Sequence, residues 1–454
     1  MKTRTLLALF AVALAAPLLA QKQAPPEAGK PKGFSVPAPR KFTLDNGLAV
    51  TLVEYGTLPK VTVRLAVRTG NIDEKAGEVW LSDIVGDLLS QGTETKTAAQ
   101  VAEAAARMGG EIAVNVGEDS TNLTADVLSE FGPEMAALIA DVATHPKLPE
   151  SELERLKGDR MRQLSIAKSL PQQMAAEKFR ALLYGDHPYG RLFPSEEMLK
   201  GYTIAQVRAF HDANFSAARA HVYAAGKFDG KAMEAAIRKA FSAWKRGTPP
   251  SVNLPKPKNE HRLETVDRPG AVQSTIYLGM PVTDPSSPDW ISLSVMNSLL
   301  GGSFGSRITS NIREQKGYTY SPNSQVSTRY RDGYWVETAD VTTKDTGASL
   351  KEILGEIKRL QSEPPTEQEL KGIQNYLAGT FVLSNSSRAG ILGQLAFVDL
   401  HGLPDDYLNT YVSRVYAVTP AQVQQMASKY IQSDKALIVV VGDKKVIAEQ
   451  VAPY

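Results

Sequence analysis

Apolar residues along this chain recur with two different periods, and the switches between them mark short strands and amphipathic helices. Alternating or continuous β-branched runs predict a strand pair on either side of Asn46-Gly47, in the segment FTLDNGLAVTLVEY, where Asn-Gly is a strong hairpin signal. Further strands are expected at 61–68, 111–116, 121–128, 221–225, 273–280, 334–341 and 436–441. Spacing of three and four predicts helices at 77–90, 98–108, 150–168, 288–300, 349–362 and 366–383.

The plan repeats. Each half opens with strands followed by a helix that reaches a glycine. Each half closes with a β-rich run, then glycine and charge: Gly226-Lys227-Phe228-Asp229 in the first, Gly442-Asp443-Lys444 in the second. The two glycines stand 216 residues apart, which is domain-sized and far longer than a solenoid period. A duplicated α+β domain follows, each copy a mainly antiparallel sheet with helices packed on one face. Between the copies, 245–262 holds four prolines and several charges and reads as a linker. The domains are therefore 41–244 and 263–454.

Ahead of them, Met-Lys-Thr-Arg precedes an apolar run over 6–20 that ends in small residues. That is the pattern of an export signal, too short to span a bilayer, with cleavage expected after Ala20 or near Ala16. Residues 21–40 are rich in Pro, Lys and Gly with little to bury, and read as a flexible or extended lead-in. A periplasmic or secreted location is expected. With no cysteine in the chain, disulfides play no part there.

Charge narrows the partners. The chain carries 51 basic and 49 acidic residues, and loss of Lys2 and Arg4 with the signal would leave the two signs equal. Nothing in that balance draws it to nucleic acid or an anionic membrane, and no transmembrane segment is expected in the mature chain. The six histidines, His145, His187, His211, His221, His261 and His401, include no pair three or four positions apart, so no helix face can offer two of them to zinc. His187, in Asp-His-Pro-Tyr-Gly, suits a structural turn, and the others look isolated and surface-bound. There is no cysteine nucleophile and no glycine-rich loop ending in Lys-Ser or Lys-Thr. Asp83 and Asp87 share one helix face. They could hold a hard cation or act as an acid/base pair, or simply be solvated or packing carboxylates.

From residue 41 onward the chain resembles the insulinase/pitrilysin metallopeptidase family in its small two-domain form, typified by the mitochondrial processing peptidase. The resemblance rests on LDNGL at 44–48, the helix ending Gln91-Gly92-Thr93, the Gly109-Gly110 turn, His187-Pro188-Tyr189-Gly190, and LLGGSFGSRITSNIREQKGYTYS at 299–321. It implies that Asp83 and Asp87 stand where active relatives have the histidines of an inverted His-x-x-Glu-His zinc signature. Gly86 then replaces the general-base glutamate and Gln163 the more distal glutamate ligand. None of the four suits zinc or water activation, so the chain is expected to bind no cofactor and to lack peptidase activity of its own.

The second half keeps more. Arg313 and Tyr320, seven positions apart, match the pair that in the family's heterodimers reaches from the metal-free subunit to a partner's zinc site, in trans, to hold the substrate carbonyl and the oxyanion. Gly301, Gly302, Ser303 and Phe304 fall in the accompanying substrate-binding run, where glycines would keep the loop bare along a peptide. Ser306 and Arg307 are expected to start a helix. The resemblance also implies peptide held as an added strand along the sheet edge at 111–116. The expected function is an exported, non-catalytic subunit of a zinc peptidase heterodimer, with zinc in the partner. The alternatives are a peptide-binding or scaffold protein of the same fold, or an enzyme using Asp83 and Asp87 with another ion. Taken without the family, the residues favour a plainer reading in which Arg313 pairs with Glu314 or another neighbour and Tyr320 fills a strand face.

Overall fold

The alternating runs pair into two sheets, described in a computed structural model over residues 34–454; the expected export segment and positions 21–33 of the lead-in lie outside the described residues. The first sheet contains β1 (Arg40–Thr43), β2 (Ala49–Glu54), β3 (Lys60–Val67), β4 (Ala113–Val116), β5 (Thr121–Leu128) and β6 (Ala220–Gly226), in the order β1-β2-β6-β3-β5-β4. The second contains β7 (Arg262–Asp267), β8 (Gln273–Val282), β9 (Asn323–Arg329), β10 (Asp332–Thr342) and β11 (Leu437–Gly442), in the order β7-β11-β8-β10-β9. Apart from β1, the two orders correspond strand for strand. Each holds one parallel pair, β2 with β6 and β7 with β11, among antiparallel neighbours. Gly226 and Gly442 close the equivalent strands β6 and β11. The duplicated α+β plan is the observed one.

The hairpin turn is anchored by its own side chain. Gly47 takes φ +94°, open to glycine at little cost. Asn46 Nδ2 donates to the carbonyls of Phe241 and Trp244 at 2.8 and 2.9 Å, tying the turn to the end of helix Gly230–Phe241.

In each sheet one face follows the expected alternation. Val61, Val63, Leu65 and Val67 of β3 are buried with Leu123, Ala125 and Val127 of β5 in the first-half core. Each of these valines and leucines contributes about 1.5–3 kcal/mol of burial. The opposite faces differ from expectation, because each half covers the other's second face with a helix. From the first half, helix Pro171–Tyr184 lays Phe179, Leu183 and Tyr184 on Val336, Leu437, Val439 and Val441 of the second sheet. In return, helix Arg388–His401 of the second half lies over β3 and β6, with Arg388 forked onto Asp126 at 3.0 Å for both bonds. Strand β11, LIVVVG, is buried at every position, the pattern of a strand covered on both faces.

A polar cluster joins the halves beside this exchange. Arg329 Nη2 donates to Glu118 at 2.9 Å, Arg180 lies 2.7 Å from the same carboxylate, Tyr184 bonds Asp332, and Tyr189 bonds Asp119 at 2.5 Å. Residues 245–261 carry neither helix nor strand.

The lead-in also departs from a loose segment at its end. Phe34 sits edge-on against Phe381 at 5.2 Å, and the amide of buried Val36 donates to Asn409 at 2.8 Å. Two apolar residues among prolines leave no periodic signal, so this docking is visible only in three dimensions.

Candidate functional site

The first candidate position is built by two helices. In α1 (Leu81–Leu89), Ile84, Val85, Leu88 and Leu89 face the core, and Asp83 and Asp87 lie one turn apart on the other side. The helix starts four residues later than the sequence suggests, because Trp80 adopts φ +68° and breaks the lead-in turn. Helix α2 (Glu150–Ser169) crosses it with Arg160 and Gln163 one turn apart. All the expected positions therefore converge, but a guanidinium lies between them. Arg160 Nε and Nη2 reach the two oxygens of Asp87 at 2.7 and 2.8 Å. Its Nη1 reaches Asp83 Oδ1 at 3.1 Å and Gln163 Oε1 at 3.3 Å.

Gly86 shows why the base cannot simply be restored. A Cβ placed there would lie 2.4 Å from Cγ2 of Val116, so β4 packs directly onto the helix where the glutamate side chain would rise. Asp83 also accepts from Asn71 Nδ2 at 3.0 Å, and burial lifts its carboxyl above the ordinary range despite Arg160. Burial pulls Arg160 down, but Asp87 and Asp83 more than restore it, leaving it above its usual value. Behind them, buried Glu74 accepts from the amide and hydroxyl of Ser82 at 2.9 and 2.5 Å. Burial pushes Glu74 up to about 7.

This donor set does not fit zinc. Two carboxylates and an amide with a permanent cation among them offer neither the nitrogen ligands nor the negative field a zinc site needs. Among the described residues, no three His, Asp or Glu side chains gather as a metal group. Arg160, Asn71 and Glu74 were not foreseen. The one available signal was Arg160 standing three residues before Gln163, on the same helix face and opposite a pair of acids.

The second candidate lies around Arg313. Helix Trp290–Asn297 widens into a π-helical turn at Ser298–Gly302, and Arg313 sits in another at Thr309–Gln315, a geometry common at functional sites. Its guanidinium carbon lies 4.4 Å from the ring centre of Phe304 and 4.8 Å from that of Tyr320, so the structure brings all three together. The rings are 68% and 77% exposed, and present the cation at the surface. Arg313 Nε also pairs with Glu314 at 3.0 Å.

The neighbouring glycines are not a bare loop. Gly301 is buried, and a Cβ on it would come within 2.6 Å of Glu337 Oε2 and Ser324 Oγ. Gly302 packs as closely on Asn297, at 2.5 Å, and only Gly305 faces open space. These glycines let the turn lie against β9 and β10. Residues 301–305 also spell Gly-x-Ser-x-Gly, but Ser303 is extended at φ −134°, follows a helical turn, and its buried Oγ has no hydrogen-bond partner among the described residues. It lacks the strand-to-helix elbow and the base a nucleophile requires. The helical segment begins at Arg307, as expected, with Arg307 paired to Glu369 at 3.1 Å.

Strand β4 ends its sheet, so the edge foreseen at 111–116 exists at Ala113–Val116. The histidines correct an expectation. His187 does brace its turn, accepting from the Tyr189 amide at 3.2 Å, but His211 and His401 are buried and His221 is half-buried. His211 stacks on Phe215 at 4.7 Å and His221 on Tyr223 at 4.0 Å, while His401 is 1% exposed.

Comparison with known proteins agrees with this geometry. Residues 50–193 match the model of insulinase (peptidase family M16), and residues 201–377 that of the peptidase M16 inactive domain. An uncharacterized zinc protease of Mycobacterium tuberculosis is 27% identical over 366 residues, 79% of this chain and 83% of that protein. Another, from Bacillus subtilis, is 23% identical over 404 residues, 88% of this chain and 98% of its own. Among solved structures, a peptidase M16 inactive domain from Pseudomonas fluorescens has TM-score 0.83 at 24% identity, covering 89% of this chain and 98% of that one. A protease from Helicobacter pylori has TM-score 0.83 at 18% identity, covering 90% and 100%. With two such models in tandem, two sheets of matching strand order, and a guanidinium at the metal position, this chain belongs to the insulinase-like M16 peptidase family as a member without the zinc signature.

Proposed function

We propose that this chain is the non-catalytic subunit of a heterodimeric insulinase-like zinc peptidase. It supplies Arg313 and Tyr320 to a peptide held at the zinc site of a homologous partner. The observation that carries this reading is the contrast between the two candidate positions: Arg160 closes the metal position, while Arg313 stands between two exposed rings, free of any buried ion pair. A fixed cation beside a phenol is suited to a carbonyl oxygen that gains charge as the amide is attacked. Zinc and the water-activating glutamate reside on the partner. Peptide lies as an added strand on a sheet edge, with Gly301 and Gly302 supporting the turn that carries Ser303 and Phe304. The start of the chain, basic and then apolar, supports export of the pair.

The ion pair of Arg313 with Glu314 favours a second reading, a peptide-binding or scaffold protein of the same fold. Co-purification separates the two, since only the subunit reading requires a partner with an intact His-x-x-Glu-His. In the reconstituted pair, Arg313→Ala is expected to lower peptide turnover by about 10²-fold or more with the partner's zinc content unchanged. Unchanged turnover would reject the catalytic assignment.

A further inference from the structure

The second face of the first sheet is not uniformly apolar. Beyond Ala66, β3 turns Arg64 toward the helix Arg388–His401, and Arg68 follows just past the strand end. Between sheet and helix lies a cavity of about 510 Å³ lined by both arginines, a size that suits a small-molecule site. The helix leaves this space by presenting Gly393 and Ala396 to it, and a Cβ on Gly393 would meet nothing within 4 Å.

Arg64 Nε donates to Thr124 Oγ1 at 3.2 Å, and the Arg68 guanidinium stacks on Tyr330 at 4.3 Å. Neither has a carboxylate within ion-pair distance among the described residues. Of the acids nearby, Asp399 lines the same cavity, where it accepts from the Tyr223 hydroxyl at 2.9 Å and lies 3.7 Å from the Lys41 ammonium, and Asp73 pairs with Arg219 at 3.0 Å. Arg68 Nε and His401 Nδ1 are buried and have no hydrogen-bond partner among the described residues. Arginine cannot shed its proton, so both guanidinium groups keep their charge beside the cavity with no carboxylate paired to them among the described residues. Burial already holds Arg64 below its usual value. Phe397 and Leu400 add an apolar wall.

We propose that this cavity binds a small organic anion, its carboxylate or phosphate head held by Arg64 and Arg68 and its apolar body lying along Phe397 and Ala396. The site lies apart from the Arg313 cluster and from Arg160, and it does not depend on the proposed partnership.

The test uses the full chain with octanoate and octyl phosphate as probes, octanol as the uncharged control, and thermal unfolding and calorimetric titration as readouts. At least one anion should raise the melting temperature in a saturable way while octanol does not, and the better of the two identifies the head group. Arg64→Met/Arg68→Met should weaken that binding on the order of tenfold or more. Gly393→Phe keeps both arginines and fills the space, so it should abolish binding in a chain that still folds. The proposal is overturned if neither anion binds, if octanol does as well, or if binding survives Gly393→Phe.

Discussion

Arg160 grips both carboxylate oxygens of Asp87, at 2.7 and 2.8 Å, while its remaining nitrogen reaches Asp83 at 3.1 Å. Two acids one turn apart on a half-buried helix face would repel each other if left alone. The planar fork of arginine holds both, and so joins α2 to α1 at the point where an active relative would need an ion.

Arg160→Met is therefore expected to destabilise the chain by about 2–4 kcal/mol, since it strands two partly buried carboxylates. Urea denaturation reads this directly, and an unmoved midpoint would mean that the pair contributes nothing.

Restoring the zinc signature alone should fail. Asp83→His/Gly86→Glu/Asp87→His leaves the Arg160 cation in the site, and the new glutamate collides with Val116, 2.4 Å from its Cβ. Elemental analysis after dialysis against zinc is expected to find none bound stoichiometrically; one zinc per chain would contradict the account.

The glycines of the 301–305 run should respond unequally. Gly301→Ala forces a methyl within 2.6 Å of Glu337 and Ser324 and is expected to cost about 1–3 kcal/mol. Gly305→Ala meets nothing within 4 Å and should leave stability within about 0.5 kcal/mol. Equal effects in calorimetry would show that packing is not what selects glycine at 301.

Glu74 makes stability depend on pH. Its folded value of about 7 lies above the ordinary 4.5, so between those pH values the folded chain binds the extra proton. This contribution is full below about 4.5, is lost as pH rises through 7, and amounts to about 3 kcal/mol at most. Glu74→Gln should remove that slope in denaturation midpoints measured from pH 5 to 8; a variant with the same slope as the parent would exclude Glu74 as its source.

Tyr320→Phe tests the surface pair without disturbing the fold. The ring is 77% exposed, so stability should change by less than about 0.5 kcal/mol. Loss of one donor to a developing oxyanion should slow the reconstituted pair by about 10²-fold. Full activity would leave the hydroxyl without a role.

Much of this was legible in the chain. Asn46-Gly47, the β-branched runs and the matching Gly226 and Gly442 announced a duplicated α+β plan, because side-chain period and turn chemistry are local properties. Arg313 and Tyr320 were singled out only through the family resemblance, which one short stretch carries, and the structure brings their side chains together. Arg160 was marked only by its place three residues before Gln163, because it acts on residues more than seventy positions away across a helix crossing. The burial of His211 and His401 and the half-burial of His221 were hidden for the same reason.

The sequence by itself marked many of the strands and helices, and showed that the plan occurs twice and that no histidine stands at Asp83, Gly86, Asp87 or Gln163, where the family resemblance places a zinc signature. Only the tertiary structure decided that a guanidinium occupies their midst, that each half roofs the other's sheet, and that Arg64 and Arg68 are left facing a cavity. The physical reason is range: backbone preference and periodicity act over a few residues, whereas charge pairing and burial depend on which distant surfaces meet.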